Sequence, residues 1–202
     1  MGDARHAEHD PILPRLLLVT LAGASTAEAQ GSSQSQMAMS QPTTMVGGKA
    51  MLPTRNIVDN AINSADHTTL VAAVKPAGLV ETLKGKGPLT VFAPTNAAFA
   101  ALPEGTVPTL LEPKNKDQLT RVLTYHVVPG RYDAAALMKA IEKGDGKASL
   151  KTASGNTLWI KMNGDRNVVV VDAKGGVANI STYDVIQSNG IIHVVDKVLL
   201  PS

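Results

Sequence analysis

The chain has 202 residues, with 19 Lys and Arg against 17 Asp and Glu for a formal charge of +2, a length that suits one domain plus some extra sequence. No run of five or six like charges offers a footprint for nucleic acid or a membrane surface. There is no Cys, which excludes disulfides, thiolate metal sites and cysteine nucleophiles; aromatics make up 3%, too few for a stacking surface, so the core must be built from Val, Leu, Ile and Ala.

Residues 1–29 are expected to be a signal peptide with an atypical N-terminal extension. Arg15 precedes an apolar run, Leu16 to Ala24, too short for a stable membrane anchor. Ala27-Glu28-Ala29 then has the small-x-small form of a cleavage site. The extension is unusual because Asp3, Glu8 and Asp10 sit among its basic residues. His6 and His9 have a metal-compatible spacing but fall in the segment expected to be removed. Residues 30–50, rich in Ser, Gln and Gly without apolar periodicity, are expected to be a flexible linker. Its Met37, Met39 and Met45, with Met51 just beyond, could offer thioethers to Cu(I). No His or Cys accompanies them, so Met45 and Met51 are expected instead to pack against the domain.

Residues 51–202 are expected to form one domain. Thr54 to Ile62 has helical spacing, as do Leu70 to Val74 after a cap at Asp66 and, past Pro76 and Gly78, Leu79 to Leu83. Leu89 to Pro94 reads as a buried strand, and Thr95 caps a short helix bearing Phe99 and Leu102. Helices follow at Asp117 to Tyr125 and Asp133 to Lys143, separated by His126-Val-Val128 as a strand-like exit. From there the pattern is short β-type runs: 148–152, 157–162, 167–171, 176–182, 185–187, 191–195 and 197–200. Helices first and strands last indicate an α+β fold.

Three stretches, LTVFAPTNAAFAALP, LTYHVVPGRY and SNGIIHVVDKVLLP, occur in the order of the signatures of the fasciclin domain, and the region from about residue 50 to 202 resembles that family. The resemblance implies a wedge-shaped antiparallel β-sandwich of about seven strands with flanking helices, used in adhesion and partner binding outside the cytoplasm, without catalysis. It also carries two adhesion-linked motifs onto Tyr125-His126 and Asp184-Val185-Ile186, although YDVIQ departs locally from the animal members.

The same residues admit chemical readings. A base could be His126 or His193, with Asp133, Asp184 or Asp196 to orient it and a Ser or Thr as nucleophile. No Gly-x-Ser-x-Gly elbow, His-Glu-x-x-His helix or phosphate loop accompanies them, which makes a hydrolase the weakest reading. Among apolar neighbours, His126 and His193 are expected to be neutral structural polar groups. Asp184 reads equally as a partner contact or a turn cap. Asn179-Ile180-Ser181 matches a glycosylation sequon, and Lys114, Lys116, Arg121 and Lys139 read as a solvated face. The expected protein is an exported, secreted or periplasmic, interaction module that binds a protein, surface or matrix partner through Tyr125, His126, Asp184 and Ile186. No cofactor, metal or nucleic acid is expected. The alternative is a small-ligand carrier with a pocket between helices and sheet.

Overall fold

A computed structural model describes residues 43–201. The expected signal segment, its cleavage site and most of the expected linker, with Met37 and Met39, lie outside the described residues.

Nine strands and seven α-helices follow one another along the described residues. A hairpin of β1 (Thr44–Val46) and β2 (Lys49–Met51) comes first. Helices α1 (Ile57–Asn63), α2 (Thr68–Ala77) and α3 (Val80–Lys84) then lead into β3 (Leu89–Pro94). Next are α4 (Asn96–Ala100), α5 (Thr106–Leu111), α6 (Lys116–Tyr125), β4 (Val127–Pro129) and α7 (Ala134–Lys143). The chain finishes with β5 (Lys147–Lys151), β6 (Thr157–Asn163), β7 (Asn167–Val171), β8 (Val177–Gln187) and β9 (Gly190–Val195). Seven strands form one sheet in the order β4-β3-β9-β8-β7-β6-β5.

The fold is α+β as expected, but the sheet is mixed. Strand β3 pairs with β9 in parallel, Leu89 opposite Gly190 and Pro94 opposite Val195, while the other pairs are antiparallel. Strands β3 and β9 carry near-continuous apolar runs because both of their faces are covered. Val91, Ala93, Ile192 and Val194 join the core formed with α1 to α6. Phe92 and Val195 join a second core with Leu137, Ile141, Leu158, Ile160 and Val170. At Gly190 a Cβ would stand 2.0 Å from the Leu89 carbonyl oxygen, so glycine is what lets the β9 start lie against β3. The two ends of the sheet meet where the Ala153 N–H donates to the Val127 carbonyl at 2.7 Å.

Two expected strands, 176–182 and 185–187, are one element, β8, whose ladder with β9 slips between Ile180 and Thr182 and again between Thr182 and Val185. The expected strand 197–200 does not form. Its backbone is held by side chains instead: the Leu199 N–H donates to His126 Nε2 at 2.9 Å and the Leu200 N–H to Asp172 Oδ2 at 3.1 Å.

The end of the expected linker is ordered. Gly47 and Gly48, with φ of 59° and 71°, fill the two-residue turn that joins β1 to β2, as a tight hairpin requires. Met51 is buried, whereas Met45 is 60% exposed, contrary to the packing expected of it: alternation along β1 turns Met45 outward and Val46 inward. A Cβ on Gly47 would lie 2.7 Å from both the Asp66 nitrogen and Ser64 Oγ, while one on Gly48 would touch nothing within 4 Å. Gly48→Ala is therefore expected to cost only the left-handed strain, about 1 kcal/mol, and Gly47→Ala clearly more. Urea denaturation of the two variants checks this; equal losses would mean that the hairpin does not press on residues 64–66.

Candidate functional site

Tyr125 ends α6 and His126 is its C-cap, the His126 N–H donating to the Leu123 carbonyl. Adjacent in sequence, the two side chains enter different cores. Tyr125 is fully buried in the second core. Its hydroxyl donates to the Thr157 carbonyl and accepts from the Ala173 N–H, both at 3.0 Å. Burial raises its pKa, against the opposing pull of that Ala173 N–H and with the Asp172 charge adding to the rise. His126 borders the first core and is 3% exposed. Its Nδ1 lies 2.7 Å from the Val122 carbonyl and its Nε2 accepts from the Leu199 N–H, which fixes the neutral ring with the proton on Nδ1. Burial pulls its pKa down to about 4, offset in part by the Val122 carbonyl and the Asp172 charge. The pair is not a dyad.

His193, fully buried on β9, uses both nitrogens as well. Nε2 donates to the Tyr132 carbonyl at 2.7 Å, and Nδ1 accepts from the Asp184 N–H at 3.4 Å. Its ring stacks on Phe92 and meets Tyr183 edge-on. Burial lowers its pKa, opposed by the Tyr132 backbone and by Asp184 and Asp133. A base that must accept a substrate proton needs a nitrogen within reach of that substrate. In both rings the nitrogens are committed to backbone groups instead.

Asp184 differs from these. It is half-buried, and it sits inside β8 with φ of 53°, a left-handed conformation that Asp tolerates but rarely adopts within a strand. Asp145, the other described non-glycine residue with positive φ, lies in a turn. Asp184 Oδ1 accepts from the Ala134 N–H at 2.8 Å, beside Asp133 Oδ1, which caps α7 by accepting from the Ala136 N–H at 2.8 Å. Two carboxylates thus gather at the start of α7, where free N–H groups favour negative charge. The second oxygen of Asp184 makes no hydrogen bond among the described residues. Val185 turns into the core, and Ile186 is half-buried.

Asp196, the third candidate orienting acid, bonds the backbone and side chain of Asn179, both at 2.7 Å, and so occupies the amide of the sequon. Reading from sequence missed Asp172, a buried carboxylate that accepts from the Lys174, Gly176 and Leu200 N–H groups. The Asp-x-Lys-Gly-Gly turn between two β-type runs was its available signal. Among the described residues no group of three or more His, Asp or Glu side chains could hold a metal ion.

The profile of the fasciclin domain matches residues 65–201. The chain belongs to the fasciclin domain family. Protein sll1483 of Synechocystis is 42% identical over 169 residues, covering 84% of this chain and 86% of that protein. Immunogenic protein MPB70 of Mycobacterium bovis is 36% identical, covering 70% of this chain and 66% of its own. Transforming growth factor-beta-induced protein ig-h3 of Sus scrofa is 34% identical over 74% of this chain, which spans 20% of that longer protein. Among solved structures, the FAS1 domain pair of the insect cell adhesion molecule fasciclin I superposes with a TM-score of 0.51 at 20% identity, over 65% of this chain and 43% of that one. In this fasciclin domain, Tyr125 and His126 are interior residues, and Asp184 with Ile186 is the part of the expected site that reaches the surface.

Proposed function

We propose that this fasciclin domain is a non-catalytic interaction module, working outside the cytoplasm and binding a protein, cell-surface or matrix partner through Asp184 and Ile186. The observation that carries the reading is Asp184 itself: a strand residue held in a left-handed conformation beside a half-exposed aliphatic. Backbone strain of about 1–3 kcal/mol persists where the surroundings enforce it, and such places cluster at binding sites. His193 helps to enforce it by accepting from the Asp184 N–H, and the Ala134 N–H holds the carboxylate. Likeness of fold to the insect cell adhesion molecule fasciclin I supports the same reading. Among the described residues no helix is long and apolar enough to cross a membrane.

Asp184→Asn tests the assignment, since Asn keeps the acceptor for Ala134 and tolerates the left-handed backbone while losing the charge. With the immobilised protein and an extract of its native envelope or matrix, the wild type is expected to retain a partner and Asp184→Asn to retain several-fold less. Equal retention removes Asp184 from the site; no retained partner at all removes the adhesive reading.

A further inference from the structure

A cavity of about 100 Å³ opens between the helices and the sheet. Its walls include Val58, Leu70, Val74, Leu83, Val91 and Ile192. Exposed Ile62, Lys75 and Lys84 border it, and Lys84 is tied to Asp59 at 3.4 Å. Three buried wall residues are polar, Ser64, His67 and His126, and His126 has both ring nitrogens engaged. His67 is 3% exposed, and its Nδ1 lies 2.8 Å from Ser64 Oγ. Its Nε2 is the one buried side-chain polar atom among the described residues that has no hydrogen-bond partner. A buried polar atom of this kind costs about 1–3 kcal/mol unless something satisfies it.

We propose that this cavity binds small, neutral, mainly apolar molecules carrying one hydroxyl group, alcohols or phenols, with the hydroxyl on His67 Nε2. Three physical points select that class. Water is a poor occupant, because it needs two to four polar partners, and the other buried polar side chains on these walls, Ser64 and His126, already have theirs. At Nε2, away from the exposed Lys75 and Lys84 of the rim, an anion is disfavoured because burial lowers the pKa of His67, against smaller contributions from the Ala93 backbone and Asp66. The ring is therefore neutral and offers no countercharge to a desolvated carboxylate. A hydroxyl both donates and accepts, so it completes Nε2 in whichever tautomer Ser64 selects. The volume is about two thirds of that of an engineered apolar cavity of about 150 Å³ that admits benzene, so the occupant is no larger than one small ring or a short chain. Gly47 has a part here too: the β1–β2 turn packs against Ser64, the residue that orients His67.

The site is independent of the Asp184 surface, and its test does not depend on a macromolecular partner. The full chain, with its histidine nitrogens isotopically labelled, is titrated with p-cresol and with p-xylene, which have the same shape but differ by hydroxyl against methyl. The expected result is saturable binding of p-cresol that moves the His67 Nε2 resonance, about five- to tenfold tighter than p-xylene, with the preference lost in His67→Phe. Binding of neither probe, equal affinity for both, or a preference that survives His67→Phe overturns the proposal. If His67→Phe does not fold, the wild-type resonance decides, and p-cresol that binds without moving it overturns the proposal equally.

Discussion

Lowering the pH from 7 to 4 is expected to cost the folded domain about 3 kcal/mol through His126 alone, at 1.36 kcal/mol for each unit of pKa depression. In the unfolded chain this ring takes its proton near the ordinary 6.5, and in the folded domain only near about 4. Between those values the unfolded state binds more protons, so stability falls as the pH falls through that window and levels off below it. The depressed His67 and His193 act in the same direction. Urea denaturation at pH 7, 5.5 and 4 measures the slope, and a flat profile would show that His126 is neither buried nor neutral. His126→Gln offers a donor and an acceptor without a titrating ring. It should lose stability at pH 7 but show a shallower acid dependence than the wild type.

Tyr125→Phe is expected to destabilise the domain by about 2 kcal/mol with no change in packing. One oxygen serves two chain segments, the Thr157 carbonyl at the start of β6 and the Ala173 N–H after β7, and its removal takes away two part-buried hydrogen bonds at once. Tyr125→Ala adds the cavity left by a fully buried ring, for a total of about 4 kcal/mol or more. Equilibrium unfolding separates the two contributions. A loss for Tyr125→Phe below about 0.5 kcal/mol would reduce the hydroxyl to a bystander. Because the side chain is enclosed, partner retention by the folded Tyr125→Phe protein should match the wild type.

Several elements are legible from local chemistry alone. Strand β3 is bounded as expected because a proline closes a β-branched run, and Thr95 and Asp133 cap their helices by accepting from the Ala98 and Ala136 N–H groups. Where the partner of a segment lies far along the chain, the sequence is silent. Nothing local shows that β9 runs parallel to β3, about a hundred residues away, and residues 197–200 have strand composition yet satisfy their N–H groups on His126 and Asp172. Helix α5 is hidden by Pro108 inside it. The hairpin at 44–51 carries its signal, Gly-Gly between short β-capable runs, but the Ser- and Gln-rich residues before it draw the expected linker too far. In the candidate site, residue types alone do not separate Tyr125 and His126, which face inward, from Asp184, because the left-handed turn that brings Asp184 out depends on His193 and α7.

The bond from Ala153 to Val127 has a consequence for how copies of this domain meet. A sheet with unpaired rims is a template on which a second chain can add strands and begin to aggregate. Here β4 is only three residues long, ends in Pro129 and has its Val127 carbonyl already occupied, while β5 carries Lys147 and Lys151 at its two ends. Short length, proline and paired lysines are the features by which natural sheets refuse such additions. Strand addition from a neighbouring copy is therefore disfavoured at both rims of the seven-stranded sheet.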